Sequence, residues 1–210
     1  KAIELNPKSA EAHSILGTIF SELGQLQEAV LSLHKAIEIN PSYPLAYLNL
    51  GGVLRDLKKA KEAELYIRKA IKLNPEIAEA HTNLGITLRD LGKLEEAEFS
   101  LHKAIELNAN SVEAHTYLGT ILRDLGRLEE AELSARKAIK LNPDFADAHY
   151  NLSFILLKGK KFKEGFDKYE WRWKVKDQKN SIGTKLQTSK PEWTLNDRGR
   201  VLLWDEQGIG

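Results

Sequence analysis

No cysteine occurs among the 210 residues, which removes disulfides, thiolate metal sites and cysteine nucleophiles and fits a reducing compartment. Long apolar runs are also missing. Nothing approaches the roughly 18 residues a bilayer span needs, and the first residues lack the charged, apolar and small-residue regions of a secretory signal. The expectation is a cytoplasmic protein without a membrane span. The net formal charge is only +1, but residues 1 to 157 carry 18 Lys/Arg against 22 Asp/Glu and residues 158 to 200 carry 13 against 6. A mildly acidic stretch of that length does not attract phosphate backbones, so a nucleic-acid function would rest on the basic tail alone.

What the chain does have is a period. The heptad Lys1-Ala-Ile-Glu-Leu-Asn-Pro7 has near copies beginning at Lys35, Lys69, Lys103 and Lys137, a strict step of 34 residues. Self-similarity of that length marks one supersecondary unit, unable to bury its apolar face alone, stacked on copies of itself. The chain begins at Lys1 in mid-pattern and stops at Gly210 in a glycine-rich sequence, so it is expected to be a piece of a longer protein.

Each unit reads as two helices. His13, Leu16, Gly17 and Phe20 form one stripe at i, i+3, i+4 and i+7, and a second runs through Leu26, Ala29, Val30, Leu33, Ala36 and Ile37. Between them Gly24 supplies the left-handed conformation that ends a helix. Asn40-Pro41 closes the unit, Asn taking left-handed geometry and Pro presetting φ for the start of the next helix; Pro75 and Pro143 recur in that slot. Gly17, Gly51, Gly85 and Gly119 lie in the first helices, with Ala29, Ala63, Ala97 and Ala131 expected to face them from the second. A mid-helix Gly costs about 0.8 to 1 kcal/mol relative to Ala, so keeping it four times argues that a Cβ would clash.

The second unit fits a known pattern at Tyr47, Leu50, Gly51, Leu54, Ala63, Ile67, Ala70 and Pro75. It resembles the tetratricopeptide repeat family, and the resemblance implies an all-α fold, a right-handed superhelical solenoid of helix-turn-helix units over residues 1–176. The array then comprises a partial unit 1–9, full units 10–43, 44–77, 78–111 and 112–145, and a degenerate capping unit 146–176. His replaces the first aromatic in most units. Ala109 stands where Pro is usual, so that connection is expected to be looser.

In the fifth unit Phe162, Phe166, Tyr169 and Trp173 fall at i, i+4, i+7 and i+11 of one helix, which reads as a terminal cap with a shared aromatic face. A buried cap face is a poor stacking platform for nucleic acid. Residues 177–198 read as a linker. Residues 199–210 read as a strand entering a glycine-rich turn, the start of a truncated α/β domain.

Candidate sites are weighed against the period. His13, His81, His115 and His149 share one slot and His34 and His102 another, separated by whole units, so they do not converge on a metal. Glu95-Glu96 and Glu129-Glu130 diverge by about 100° on a helix and read as a solvated face. No convergent acid, base, nucleophile or metal set exists in the array, and no cofactor or enzymatic activity is expected of it. Asn49, Asn83 and Asn151 share a slot with Tyr117, about 160° from the Leu-Gly stripe and so facing away from the partner helix. By the resemblance, first helices line the concave groove, which makes these residues, with Arg55, Arg89 and Arg123 near the helix ends, the candidate peptide-binding set. An amide that both donates and accepts suits an extended peptide backbone. The Arg residues are each followed by Asp, and an internal pair of ladders is an equally good reading.

The expected function is recognition of a peptide or partner protein. A second reading comes from Tyr169-Glu-Trp-Arg172, Pro191-Glu-Trp193 and Val201-Leu-Leu-Trp-Asp-Glu-Gln-Gly-Ile-Gly210, which resemble the junction where bacterial repeats of this kind precede a heptosyltransferase-like glycosyltransferase domain. The array would then be a substrate-selecting arm. A third class, an assembly scaffold, would show self-association.

Overall fold

The computed structural model describes residues 8–175; the expected linker and strand, and the first seven residues, lie outside them. Among the described residues the regular elements are helical. The first unit holds α1 (Ala10–Glu22) and α2 (Leu26–Ile39), the second α3 (Pro44–Asp56) and α4 (Ala60–Leu73), and the third α5 (Ala78–Asp90) and α6 (Leu94–Leu107). The fourth holds α7 (Val112–Asp124) and α8 (Leu128–Leu141), and the fifth α9 (Ala146–Lys158) and α10 (Phe162–Tyr169), followed by a 3-10 turn over Glu170–Lys174. Each helix packs on its unit partner and on the next unit's first helix, so one apolar core runs the length of the array through Leu33, Leu50, Ile67, Leu88, Leu101, Ile121 and Leu152. The described residues form an all-α solenoid, and no described helix is long and apolar enough to cross a membrane.

Successive first helices also touch one another, whereas successive second helices barely do. The first helices therefore form the shorter, inner arc and the second helices the outer one.

The glycine slot is a packing slot, but its main partner is not the expected alanine. A Cβ added at Gly85 would lie 2.7 Å from Leu101 Cγ and 3.2 Å from the Ala97 carbonyl oxygen, and one at Gly17 would lie 2.5 Å from Leu33 Cγ. The residue four beyond each alanine supplies the closest obstacle, because one more helical turn brings its side chain level with the glycine. In the fourth unit that residue is Ala135, and the Ala131 carbonyl becomes the nearest atom at 3.1 Å.

Two readings of the unit boundary need correction. Asn40, Asn74, Asn108 and Asn142 are extended, with φ between −147° and −135°, not left-handed. Their side chains work instead: Oδ1 accepts the N–H two residues on, from Ser42, Glu76, Asn110 and Asp144, at 3.0 to 3.1 Å, the Asx turn that mimics a backbone turn. Pro41 and Pro143 do not open the next helix, which starts three residues later. They sit second in a turn closed by Tyr43 N–H to the Asn40 carbonyl and Phe145 N–H to the Asn142 carbonyl, where a preset φ is favoured. Ala109 occupies an equivalent turn, closed by Ser111 N–H to Asn108, so the connection expected to be looser keeps the geometry because Asn carries it.

The His slot locks the same turn from the other side. Nε2 of His81, His115 and His149 lies 3.0, 3.1 and 2.8 Å from the carbonyl oxygen of Pro75, Ala109 and Pro143, six residues back, and the Tyr47 hydroxyl donates likewise to Pro41 at 3.1 Å. Four copies thus serve one structural task.

The cap departs from expectation. The α-helix ends at Tyr169, and Phe162 and Phe166 are 56% and 49% exposed, so the four aromatics do not share a buried face. The 3-10 turn swings the chain back over α9. Trp171 stacks on His149 at 3.8 Å between centroids, and Arg172, itself buried, lies 4.5 Å from the ring centres of both Tyr169 and Trp173.

Candidate binding groove

The inner arc is built from the faces of α1, α3, α5, α7 and α9 that point away from their own second helices. Along its N-terminal part the polar side chains are tied to one another across units. The Asn49 amide nitrogen donates to the Ser14 and Thr18 hydroxyls at 3.3 and 3.2 Å, and Asn83 Oδ1 accepts from Arg55 at 3.4 Å. Arg89 reaches Asp124 of the next unit at 3.0 Å, and Arg123 holds the other oxygen of the same carboxylate at 2.7 Å. Burial alone would raise the Asp124 carboxyl, but the hydrogen bonds from Arg123 and Arg89 outweigh it and hold the group below its ordinary range. Arg89 thus ties its unit to the next through Asp124, an internal pair of the kind the competing reading expected, whereas Arg55 reaches Asn83.

The C-terminal part opens. Between α7 and α9 lies a hollow of about 1070 Å³, large enough for a peptide segment of a few residues. It brings together four of the seven sequence candidates, Tyr117, Asn151, Arg89 and Arg123, and leaves Asn49, Asn83 and Arg55 outside its lining. Its wall also contains residues that sequence reasoning missed. Tyr150 and Phe154 meet edge to face at 4.8 Å, each backed by Tyr169, and the Arg123 guanidinium lies 5.8 Å from the Phe154 ring centre. Lys158 donates to the Arg123 carbonyl at 2.9 Å, capping the end of α7 with a cation where the helix dipole is negative. Glu113, Asp144 and Asp147 add acidic groups to the lining.

A signal for the missed pair was present. The slots of Tyr150 and Phe154 hold Ser14 and Thr18, Leu48 and Gly52, Thr82 and Ile86, and Thr116 and Thr120 in the four preceding units; rings stand in both slots only in the fifth. Among the described residues no cluster of His, Asp or Glu is arranged to hold a metal ion. Chemically the hollow offers aromatic faces, an amide, cations and carboxylates together, which suits a mixed apolar and polar segment better than a single small anion.

Comparison with known proteins agrees with this architecture. Family models described as tetratricopeptide repeat or TPR repeat match residues 1–30 and 102–132, 17–57 and 119–159, 45–77, and 78–111. No curated protein matches the chain by sequence. Among solved structures, YrrB, a TPR protein with an unusual peptide-binding site, is 27% identical with a TM-score of 0.61, over 84% of this chain and 91% of its own. PilF of Pseudomonas aeruginosa is 24% identical with a TM-score of 0.69, over 77% of this chain and 74% of its own. MamA of Desulfovibrio magneticus RS-1 is 19% identical with a TM-score of 0.66, over 81% and 97%. The repeat models together span residues 1–159, and with the paired-helix solenoid they place this chain in the tetratricopeptide repeat family.

Proposed function

We propose that the chain is a protein-interaction module whose inner arc binds an extended segment of a partner protein, seated in the hollow between α7 and α9. The observation that carries this reading is the hollow itself, where Tyr117 and Asn151 of the predicted groove slot meet the Tyr150 and Phe154 rings. An apolar side chain of the segment packs on the rings, its backbone pairs with the Asn151 amide, and acidic neighbours meet Arg123 or Lys158. The likeness to YrrB supports a peptide as ligand. Asn49 and Asn83 continue the row, but their hydrogen bonds to Ser14, Thr18 and Arg55 make them weaker rungs. With a peptide selected by display, calorimetric titration of Asn151→Ala combined with Tyr117→Ala is expected to show affinity reduced about tenfold or more. Unchanged affinity in the folded double variant moves recognition elsewhere.

The alternative, an array serving as the substrate-selecting arm of a glycosyltransferase, draws on one further observation. Tyr169 to Arg172, which carry part of that resemblance, form with Trp173 a built plate at the end of the fifth unit, with Arg172 between two rings. Such a plate suits docking of a following domain. Sequencing the gene beyond the Gly210 codon tests it: alternating strands and helices over about 200 residues favour the enzyme, and further 34-residue repeats exclude it.

A further inference from the structure

The outer arc carries a second pattern, with inverted polarity. In α4, α6 and α8 a carboxylate is sheltered while the apolar residue after it stands in water: the Glu64, Glu98 and Glu132 side chains are 13%, 18% and 16% exposed, whereas Leu65, Phe99 and Leu133 are 70%, 76% and 70% exposed. The carboxylates bind cations of the next unit, Lys93, Arg127 and Lys161, at 2.9, 2.7 and 2.7 Å. Nothing among the described residues gives the apolar side chains a comparable task. Leu31, 71% exposed, extends the row to α2, and Asp167 ends it in the fifth unit. One exposed leucine is ordinary. Four large apolar residues in register are not explained by helix propensity either, since Phe99 is a poorer helix former than Leu or Glu.

The charges beside the row say what covers it. Three residues before each apolar position stands an acid, Glu28, Glu62, Glu96 or Glu130, and four residues after it a base, Lys35, Lys69, Lys103 or Lys137. At a rise of 1.5 Å per residue these lie roughly 4.5 and 6 Å to either side along the helix. The second helices share one direction, so the outer face is an apolar stripe with an acidic row along one edge and a basic row along the other. The helix dipole favours the acids, which stand in the first turns, but it accounts for neither the basic row, which lies short of the last turn, nor the stripe between them. We propose that this face associates with a second copy of the chain about a twofold axis lying along the stripe. That rotation sets apolar residue on its own counterpart and exchanges the edges, so each acidic row meets the other copy's basic row. A second copy also matches the unit spacing without adjustment, as an isologous contact requires. Two outer arcs meet at their middle, which centres the contact on Leu65 and Phe99.

Sedimentation of the 210-residue chain at concentrations up to about 100 µM is expected to show a reversible monomer–dimer equilibrium, and Leu65→Glu with Phe99→Glu is expected to weaken it more than tenfold with the helical circular dichroism unchanged. Two charge variants then probe the geometry. Glu62→Lys with Glu96→Lys makes both central edges basic, and Lys69→Glu with Lys103→Glu makes both acidic. Within the chain Glu62 contacts Lys59 at 3.5 Å and Glu96 contacts Arg68 at 2.8 Å, exposed pairs that contribute little to folding. Each variant alone is expected to lose dimer, and an equimolar mixture to regain it as a heterodimer. A parent monomeric throughout, a dimer that survives the double Glu substitution, or a mixture that stays monomeric overturns the proposal.

Discussion

The second and fifth units keep small or apolar residues at matched buried positions and differ on the faces that those positions carry. Ala46, Leu50, Leu54 and Ala63 on one side, and Ala148, Leu152, Leu156 and Gly165 on the other, are buried where helices meet. Around them Gly52 becomes Phe154, Asp56 becomes Lys158, Glu64 becomes Phe166 and Tyr47 becomes His149. The skeleton slots decide whether a unit forms, and the remaining slots decide what its faces do. In the second unit those slots close the arc with small residues and bind the next unit through Glu64; in the fifth they open a hollow and leave two phenylalanines in water.

The largest break in that comparison comes from a skeleton slot. Gly85→Leu forces a whole side chain into the place where even a Cβ would sit 2.7 Å from Leu101 Cγ and 3.2 Å from a backbone oxygen. Overpacking of this kind costs about 1 to 3 kcal/mol or more, and the backbone obstacle puts the expected loss above about 2 kcal/mol. Thermal melts check it; a variant as stable as the parent would refute the tight pairing of α5 with α6. Asn83→Ala, a groove slot of the same helix, is expected to shift the melt far less.

These results separate what was legible in the sequence from what was not. The fold was legible because the skeleton repeats: Leu50, Gly51 and Ala63 have copies at the 34-residue step in each of the four full units, and local pattern and tertiary packing agree. The firmness of the Asn108 turn is not legible from the missing Pro, because the Asn108 side-chain acceptor does the bonding. The exposure of Phe162 and Phe166 is not legible because a helical wheel assumes that the helix continues, and the chain turns to 3-10 after Tyr169. The hollow was half legible. Tyr117 and Asn151 share a periodic slot, but the ring pair Tyr150 and Phe154 acts through its contact with Tyr169, nineteen and fifteen residues on, which no single-helix pattern reports.

A smaller effect sharpens the contrast between Tyr47 and His149. Burial lowers the His149 pKa from 6.5, more than its hydrogen bond to the Pro143 carbonyl raises it, and His115 shifts the same way for the same first cause. The folded state therefore binds fewer protons than the unfolded one below pH 6.5, and stability rises with pH there. Their contribution is fully present above pH 6.5 and is lost as pH falls from 6.5 through the lowered folded values. Melting temperatures should drop on acidification through that window before the carboxylates titrate. His149→Tyr supplies the hydroxyl that Tyr47 uses toward Pro41 and removes one titrating ring, so it is expected to flatten the slope; an unaltered slope would take His149 out of the linkage.

The smallest expected effect has the opposite sign to the first. Gly51 and Gly52 are neighbours in α3, but one is skeleton and the other is surface. A Cβ at Gly51 would run into the Ile67 side chain, with the Ala63 carbonyl oxygen 3.3 Å away, whereas a Cβ at Gly52 meets nothing within 4 Å. Helix entropy favours Ala over Gly at both by about 0.5 to 1 kcal/mol. At Gly52 that gain is unopposed, so Gly52→Ala should stabilise the array by about that amount, whereas at Gly51 the clash should win and the same change should lower the melt. Denaturant titration of both variants with a common slope measures the pair. If the two move in the same direction, the division into skeleton and surface slots fails at adjacent residues of one helix, where it is most exposed to test.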